Sequence, residues 1–162
     1  MKTLITLITL ALITTASARI GETAAQCQKR YGKPTSVDKE KSSAVFKKAG
    51  LLLHITFWKN KAHSMTIRTA ETDILDNGKE ISDVKIQMIL KANRPTKKGS
   101  DKKINWKKSN IISMDKNWQT EGEELYAQYT TIDNLFMIVT KEFIDHMAAK
   151  KAAKEKESLQ DF

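Results

Sequence analysis

The chain has 162 residues with 28 basic and 19 acidic side chains, a net charge of +9, one cysteine and six glycines. That length fits one domain once a short leader is removed. A lone cysteine excludes an internal disulfide framework, dispersed glycines exclude a glycine-rich phosphate loop, and the lysine excess points toward anionic partners.

The first 18 residues read as a cleaved signal peptide. Lys2 supplies the positive start, Leu4 to Thr15 the apolar run, and Ala16-Ser17-Ala18 a small-x-small cleavage site, leaving Arg19 first in the mature chain. The run is shorter than the roughly 20 apolar residues that span a bilayer, and no later stretch is apolar enough to span. The mature chain is therefore expected to be exported, periplasmic or secreted, without a transmembrane segment. Residues 19–148 are expected to form a single α+β domain, and 149–162 a charged helical tail.

The mature chain opens on a helix with complete punctuation. Thr23 and Gln26 make a capping box, Gly32 can adopt the left-handed closing conformation, and Pro34 cannot continue a helix. Ala24, Cys27 and Tyr31 fall on one apolar stripe. Cys27 reads as a small core residue on that stripe; the competing roles are a reactive thiol or an intermolecular bridge.

Thr35 to Ser42 reads as a loop, followed by a short strand at Ala44-Val45-Phe46. Leu51 to Trp58 alternates, with Leu51, Leu53, Ile55 and Phe57 on one face. Lys59-Asn60-Lys61 turns the chain into a return strand carrying His63, Met65 and Ile67. Asp76-Asn77-Gly78 signals a turn. A second helix follows, capped by Ser82 and burying Ile86, Ile89 and Leu90, ended by Asn93 and Arg94-Pro95.

Strands are expected from Ile111 to Trp118, around Leu125, Ala127 and Tyr129, and from Leu135 to Thr140. A last helix starts near Thr140 and docks Phe143, Ile144 and Met147. The order predicts an α+β fold: an antiparallel sheet of about six strands with helices packed on one face, a duplicated α-β-β-β unit as its plan, and a C-terminal helix.

Charge is concentrated in residues 91–108, where eight basic side chains, Lys91 and Arg94 among them, face only Asp101, a local net of +7. Lys97, Lys98, Lys102, Lys103, Trp106, Lys107 and Lys108 form the candidate surface for an anionic ligand, since lysines around an indole can contact anionic polymers or a lipid interface. The plainer reading is a solvated loop in which Trp106 anchors one end in the core. Lysine rather than arginine implies point-charge attraction instead of bidentate recognition. Nucleic acid is not an expected partner for an exported chain.

Catalytic and metal signals are sparse. His54 and His63 lie on adjacent strands and could face each other, but no cysteine or carboxylate cluster accompanies them. No nucleophile, base and orienting group are pinned together by any motif, and Glu121, Glu123 and Glu124 read as a solubilising turn. The expectation is no catalytic residue, no cofactor and no metal.

Gly21-x-Thr23-x-x-Gln26 followed by Tyr31-Gly32-x-Pro34 resembles the opening of the SmpA/OmlA-type outer-membrane-assembly lipoproteins. The Arg19-x-Gly21-Glu22-Thr23 phrase is similar to a group of uncharacterised small exported bacterial proteins. The first resemblance implies a noncatalytic α+β module that helps assemble envelope proteins. This chain differs in lacking a cysteine at its mature start and in having a second helix-and-meander half. The two-half plan is also similar to inhibitor proteins that grip β-lactamases. The leading expectation is a noncatalytic exported binding or assembly module of the cell envelope. The alternatives are a loose binder of anionic envelope polymers or lipids through 91–108, and an enzyme inhibitor or unrecognised hydrolase.

Overall fold

The computed structural model describes residues 19–70, 79–95, 99–109 and 115–158; the signal-peptide reading of 1–18, the turn at Asp76-Asn77-Gly78 and Ile111-Ile112 lie outside them. Three helices accompany one sheet: α1 (Ala24–Tyr31), β1 (Ser36–Val37), β2 (Ser43–Lys48), β3 (Leu51–Trp58), β4 (Lys61–Thr69), α2 (Asp83–Ala92), β5 (Trp106–Lys108), β6 (Lys116–Thr120), β7 (Leu125–Thr130), β8 (Leu135–Thr140) and α3 (Lys141–Ser158).

The sheet has eight antiparallel strands in the order β1-β2-β3-β4-β8-β7-β6-β5. This corrects the expectation of about six strands, and each half carries four strands after its helix rather than three. The strands that the pattern did not show are the two edges. β1 consists of two exposed residues inside the stretch read as a loop, and β5 of three residues inside the basic segment, Lys107 and Lys108 exposed and Trp106 half-buried. Short polar strands carry no alternation of their own; they exist because β2 and β6 each offer an unpaired backbone edge. The two four-stranded meanders join along their last strands, β4 and β8, with Met65 opposite Ile138 and Ile67 opposite Phe136.

Local chemistry sets the elements much as read. Both halves of the α1 capping box are present, Gln26 N–H donating to Thr23 Oγ1 (3.3 Å) and Thr23 N–H to Gln26 Oε1 (2.8 Å). Gly32 closes the helix at φ 92°, its N–H bonded to the Gln28 carbonyl. Cys27 and Tyr31 are buried, whereas Ala24, at the helix start, is exposed. Lys59 and Asn60 both take positive φ (50° and 61°), the two-residue turn that suits strand twist between β3 and β4.

One face of the sheet holds the core. Phe46, Leu53, Ile55, Met65, Ile67, Ala127, Tyr129, Phe136 and Ile138 meet Cys27 and Tyr31 from α1 and Ile86, Ile89 and Leu90 from α2. Tyr31 packs on Phe46 and Trp118 meets Phe136 edge-on, with centroids 5.4 Å and 5.9 Å apart. The helix α3 is different. It buries no residue, and Ile144 and Met147 remain 40% and 47% exposed, so neither enters the core as a docked helix face would place it. Its first turns are held to the sheet, by Phe143 and His146 against Trp58, by Glu142 paired with Lys59 and by Lys141 N–H bonded to the Glu124 carbonyl.

Candidate functional site

The described members of the lysine-rich surface do not surround an open indole. Trp106 is half-buried against the core and its Nε1 donates to the Leu90 carbonyl at 2.7 Å, so it acts as an anchor joining β5 to α2. On β5, Trp106 and Lys108 oppose Thr120 and Trp118 while Lys107 opposes Gln119, which places Lys107 and Lys108 on opposite sides of the sheet. Lys107 approaches Glu121 at 3.7 Å, and Lys108 lies near enough to Asp83 to help lower its pKa, behind the larger effect of the Lys116 hydrogen bond. Lys102 and Lys103 are exposed in the preceding loop, and Lys97 and Lys98 lie outside the described residues.

The groups with chemical potential occupy structural positions. Cys27 is fully buried, and desolvation pushes its thiol up to about 12, so it stays protonated. His54 and His63 do not face each other. Thr56 pairs with Ser64 and Phe57 with Ala62, so His63 is the extra residue of a β-bulge, while His54 sits opposite Thr66. The bulge turns His63 toward α3, where its Nδ1 lies 2.8 Å from Thr140 Oγ1. Thr140 also accepts from Phe143 N–H at 3.1 Å, capping α3. Trp58 completes this clamp: the His146 ring stacks on it at 4.4 Å, His63 meets it edge-on at 5.1 Å, and Lys59 Nζ lies 4.1 Å from its centroid while pairing with Glu142 at 2.8 Å. Burial lowers the His63 pKa below its usual value, partly opposed by Glu142. Among the described residues no three His, Cys, Asp or Glu side chains converge as a metal site would need.

A separate concavity lies at the end of α2. An open groove of about 820 Å³ runs beside the C-terminal end of α2, the β6–β7 turn and the start of α3. Its lining divides into two groups. Arg19, Lys91, Arg94 and Lys103 are basic and are tied together at the end of α2: Ile20 N–H donates to Asn93 Oδ1 at 2.7 Å, and Ile104 N–H to the Pro95 carbonyl at 2.8 Å. Glu123, Glu124, Glu142 and Asp145 are acidic and are tied by Lys141 N–H donating to the Glu124 carbonyl at 3.0 Å. Lys141 itself pairs with Asp145 at 2.6 Å. Ile20, Ala92, Pro95 and Leu125 supply apolar surface between the charges.

No protein-family model and no curated protein matches the chain. Among solved structures, a cysteine-rich secretory protein from Staphylococcus aureus is similar at 14% identity and a TM-score of 0.41, over 77% of this chain. The chain spans 46% of the length of that protein.

Of the groove, sequence reasoning singled out only the basic contribution. Glu123 and Glu124 carried no signal beyond a polar turn, because their meaning comes from which distant segment faces the same space. On the other, open face of the sheet, a cavity of about 380 Å³ is bordered by Tyr126, Met137, Val139 and Ile144. No helix of the described residues is long and apolar enough to cross a membrane.

Proposed function

We propose that the mature chain is a noncatalytic, exported binding or assembly module of the bacterial cell envelope. The reading rests on the leader pattern in residues 1–18 and on one structural contrast. The thiol and His63 are committed to the core and to the α3 clamp, while charges of both signs stand around an open groove. Side chains sealed in this way hold a scaffold; a solvated groove with fixed edges is suited to recognition. The test is photo-crosslinking in the native envelope from a probe placed at Lys103. Capture of a defined partner supports the module, whereas turnover of a model substrate without any captured partner overturns it.

A second reading, loose attraction of anionic envelope polymers or lipids through residues 91–108, is favoured by the gathering of Lys91, Arg94 and Lys103 at one place. Binding of that kind is dominated by screened charge and falls steeply with salt. Insensitivity to salt removes it.

A further inference from the structure

We propose that the groove at the end of α2 takes a short zwitterionic peptide, its free carboxylate at the basic group and its free ammonium at the acidic group. The proposal rests on the reading of this chain as a binding module and names the ligand class for it.

Charge pairing within the groove separates framework from recognition. Glu142 is engaged by Lys59 and Asp145 by Lys141. Arg94 donates from Nε to the Ile104 carbonyl and from Nη2 to Asn105 Oδ1, so it braces the loop after α2. Arg19, Lys91, Glu123 and Glu124 form no ion pair among the described residues, although all four line the same groove. Two cations and two carboxylates thus stand outside the ion pairs, with Glu123 lying near enough to Lys141 to help raise its pKa, behind the larger effect of Asp145.

Their signs restrict what that ligand is. A polyanion attracted to Arg19 and Lys91 also meets Glu123 and Glu124, and a polycation meets the reverse conflict. A neutral molecule with its two charges apart meets neither. Apolar surface from Ile20, Ala92, Pro95 and Leu125 between the charged groups suits small side chains such as methyls. The backbone on both sides is fixed before any ligand arrives, by the Ile20–Asn93 and Lys141–Glu124 hydrogen bonds, so little ordering is needed on binding.

The experiment titrates the exported chain with trialanine, N-acetyl-trialanine, trialanine amide and a sulfated oligosaccharide, following amide shifts by NMR at two salt concentrations. Trialanine is expected to saturate, and capping either end to weaken it about ten-fold, as for loss of a hydrogen bond to a charged group. K91A is expected to stop distinguishing trialanine from its amide. The double variant E123A/E124A is expected to stop distinguishing it from the acetylated form. These residues are exposed, and unchanged thermal unfolding confirms that the variants fold. No saturation on the order of 10 mM, equal binding of the capped peptides, or preference for the sulfated oligosaccharide overturns the proposal. If trialanine fails while envelope crosslinking still captures a partner, the ligand class falls and the binding-module reading stands; if both fail, both fall.

Discussion

Replacing Asn93 with alanine tests whether one buried amide holds the segment that precedes α1 to the end of α2. Asn93 is 4% exposed; its Nδ2 donates to the Ile89 carbonyl at 2.9 Å and its Oδ1 accepts from Ile20 N–H at 2.7 Å. The Ile89 carbonyl keeps the Asn93 backbone N–H, at 3.1 Å, after truncation. Ile20 N–H loses the side-chain acceptor and is only partly open to water. An unsatisfied, part-buried donor costs about 1–3 kcal/mol, and the small cavity left by the amide adds to it. The expected loss is therefore about 2 kcal/mol, a fall in Tm on the order of 6 °C for a domain of this size. Urea unfolding followed by tryptophan fluorescence measures it, with an unchanged m-value showing that the folded state remains compact. Because Arg19 and Asn93 both line the groove, the variant is also expected to speed proteolysis near Arg19 and to weaken trialanine binding. A loss below about 0.5 kcal/mol, the range of an ordinary surface substitution, refutes the assignment of Asn93 as the clasp.

Three further outcomes follow from the same geometry. His63 has a depressed pKa in the folded chain because of burial, with Lys59 and Lys61 reinforcing and Glu142 opposing, so its stabilising contribution is present in full above the ordinary value of 6.5 and lost as pH falls below it. Unfolding across pH 8 to 5 should show that decline, and His63→Gln should flatten the His63 part of it; an identical pH profile in the variant contradicts the assignment. Cys27 should resist thiol reagents in native buffer and label fully in urea, since the thiol is buried and protonated at neutral pH; rapid stoichiometric labelling of the folded chain refutes the core role. Trp106→Phe should cost about 1 kcal/mol for the lost bond to Leu90 while leaving salt-dependent binding unchanged; reduced binding at unchanged stability would instead make the indole a contact surface.

What could be read without coordinates is confined to contacts between near neighbours in the chain. The α1 capping box spans three residues, Ser82 accepts from an N–H three residues on, and the alternation of Leu51 to Trp58 repeats every second residue. Each is local chemistry that any tertiary context must satisfy, and each appears where expected. The buried stripe of Ile86, Ile89 and Leu90 belongs to the same class, because a helix brings those positions to one face whatever it packs against.

The tertiary structure decided the rest, because there the interacting groups are far apart in the chain. Edge strands β1 and β5 are too short and polar to have a periodic signal; a neighbouring strand calls them into being through its unpaired backbone. The two-residue β3–β4 turn sets a register in which His54 cannot oppose His63, and one extra residue at the bulge takes His63 out of the ladder and into the clamp on α3; composition cannot register a shift of one. Glu124 and Lys141 become neighbours through the β7–β8 hairpin, which sets Leu125 opposite Thr140, and Ile20 and Asn93 become neighbours only when the two meanders close along β4 and β8. The groove and its division of charge follow from these long-range pairings.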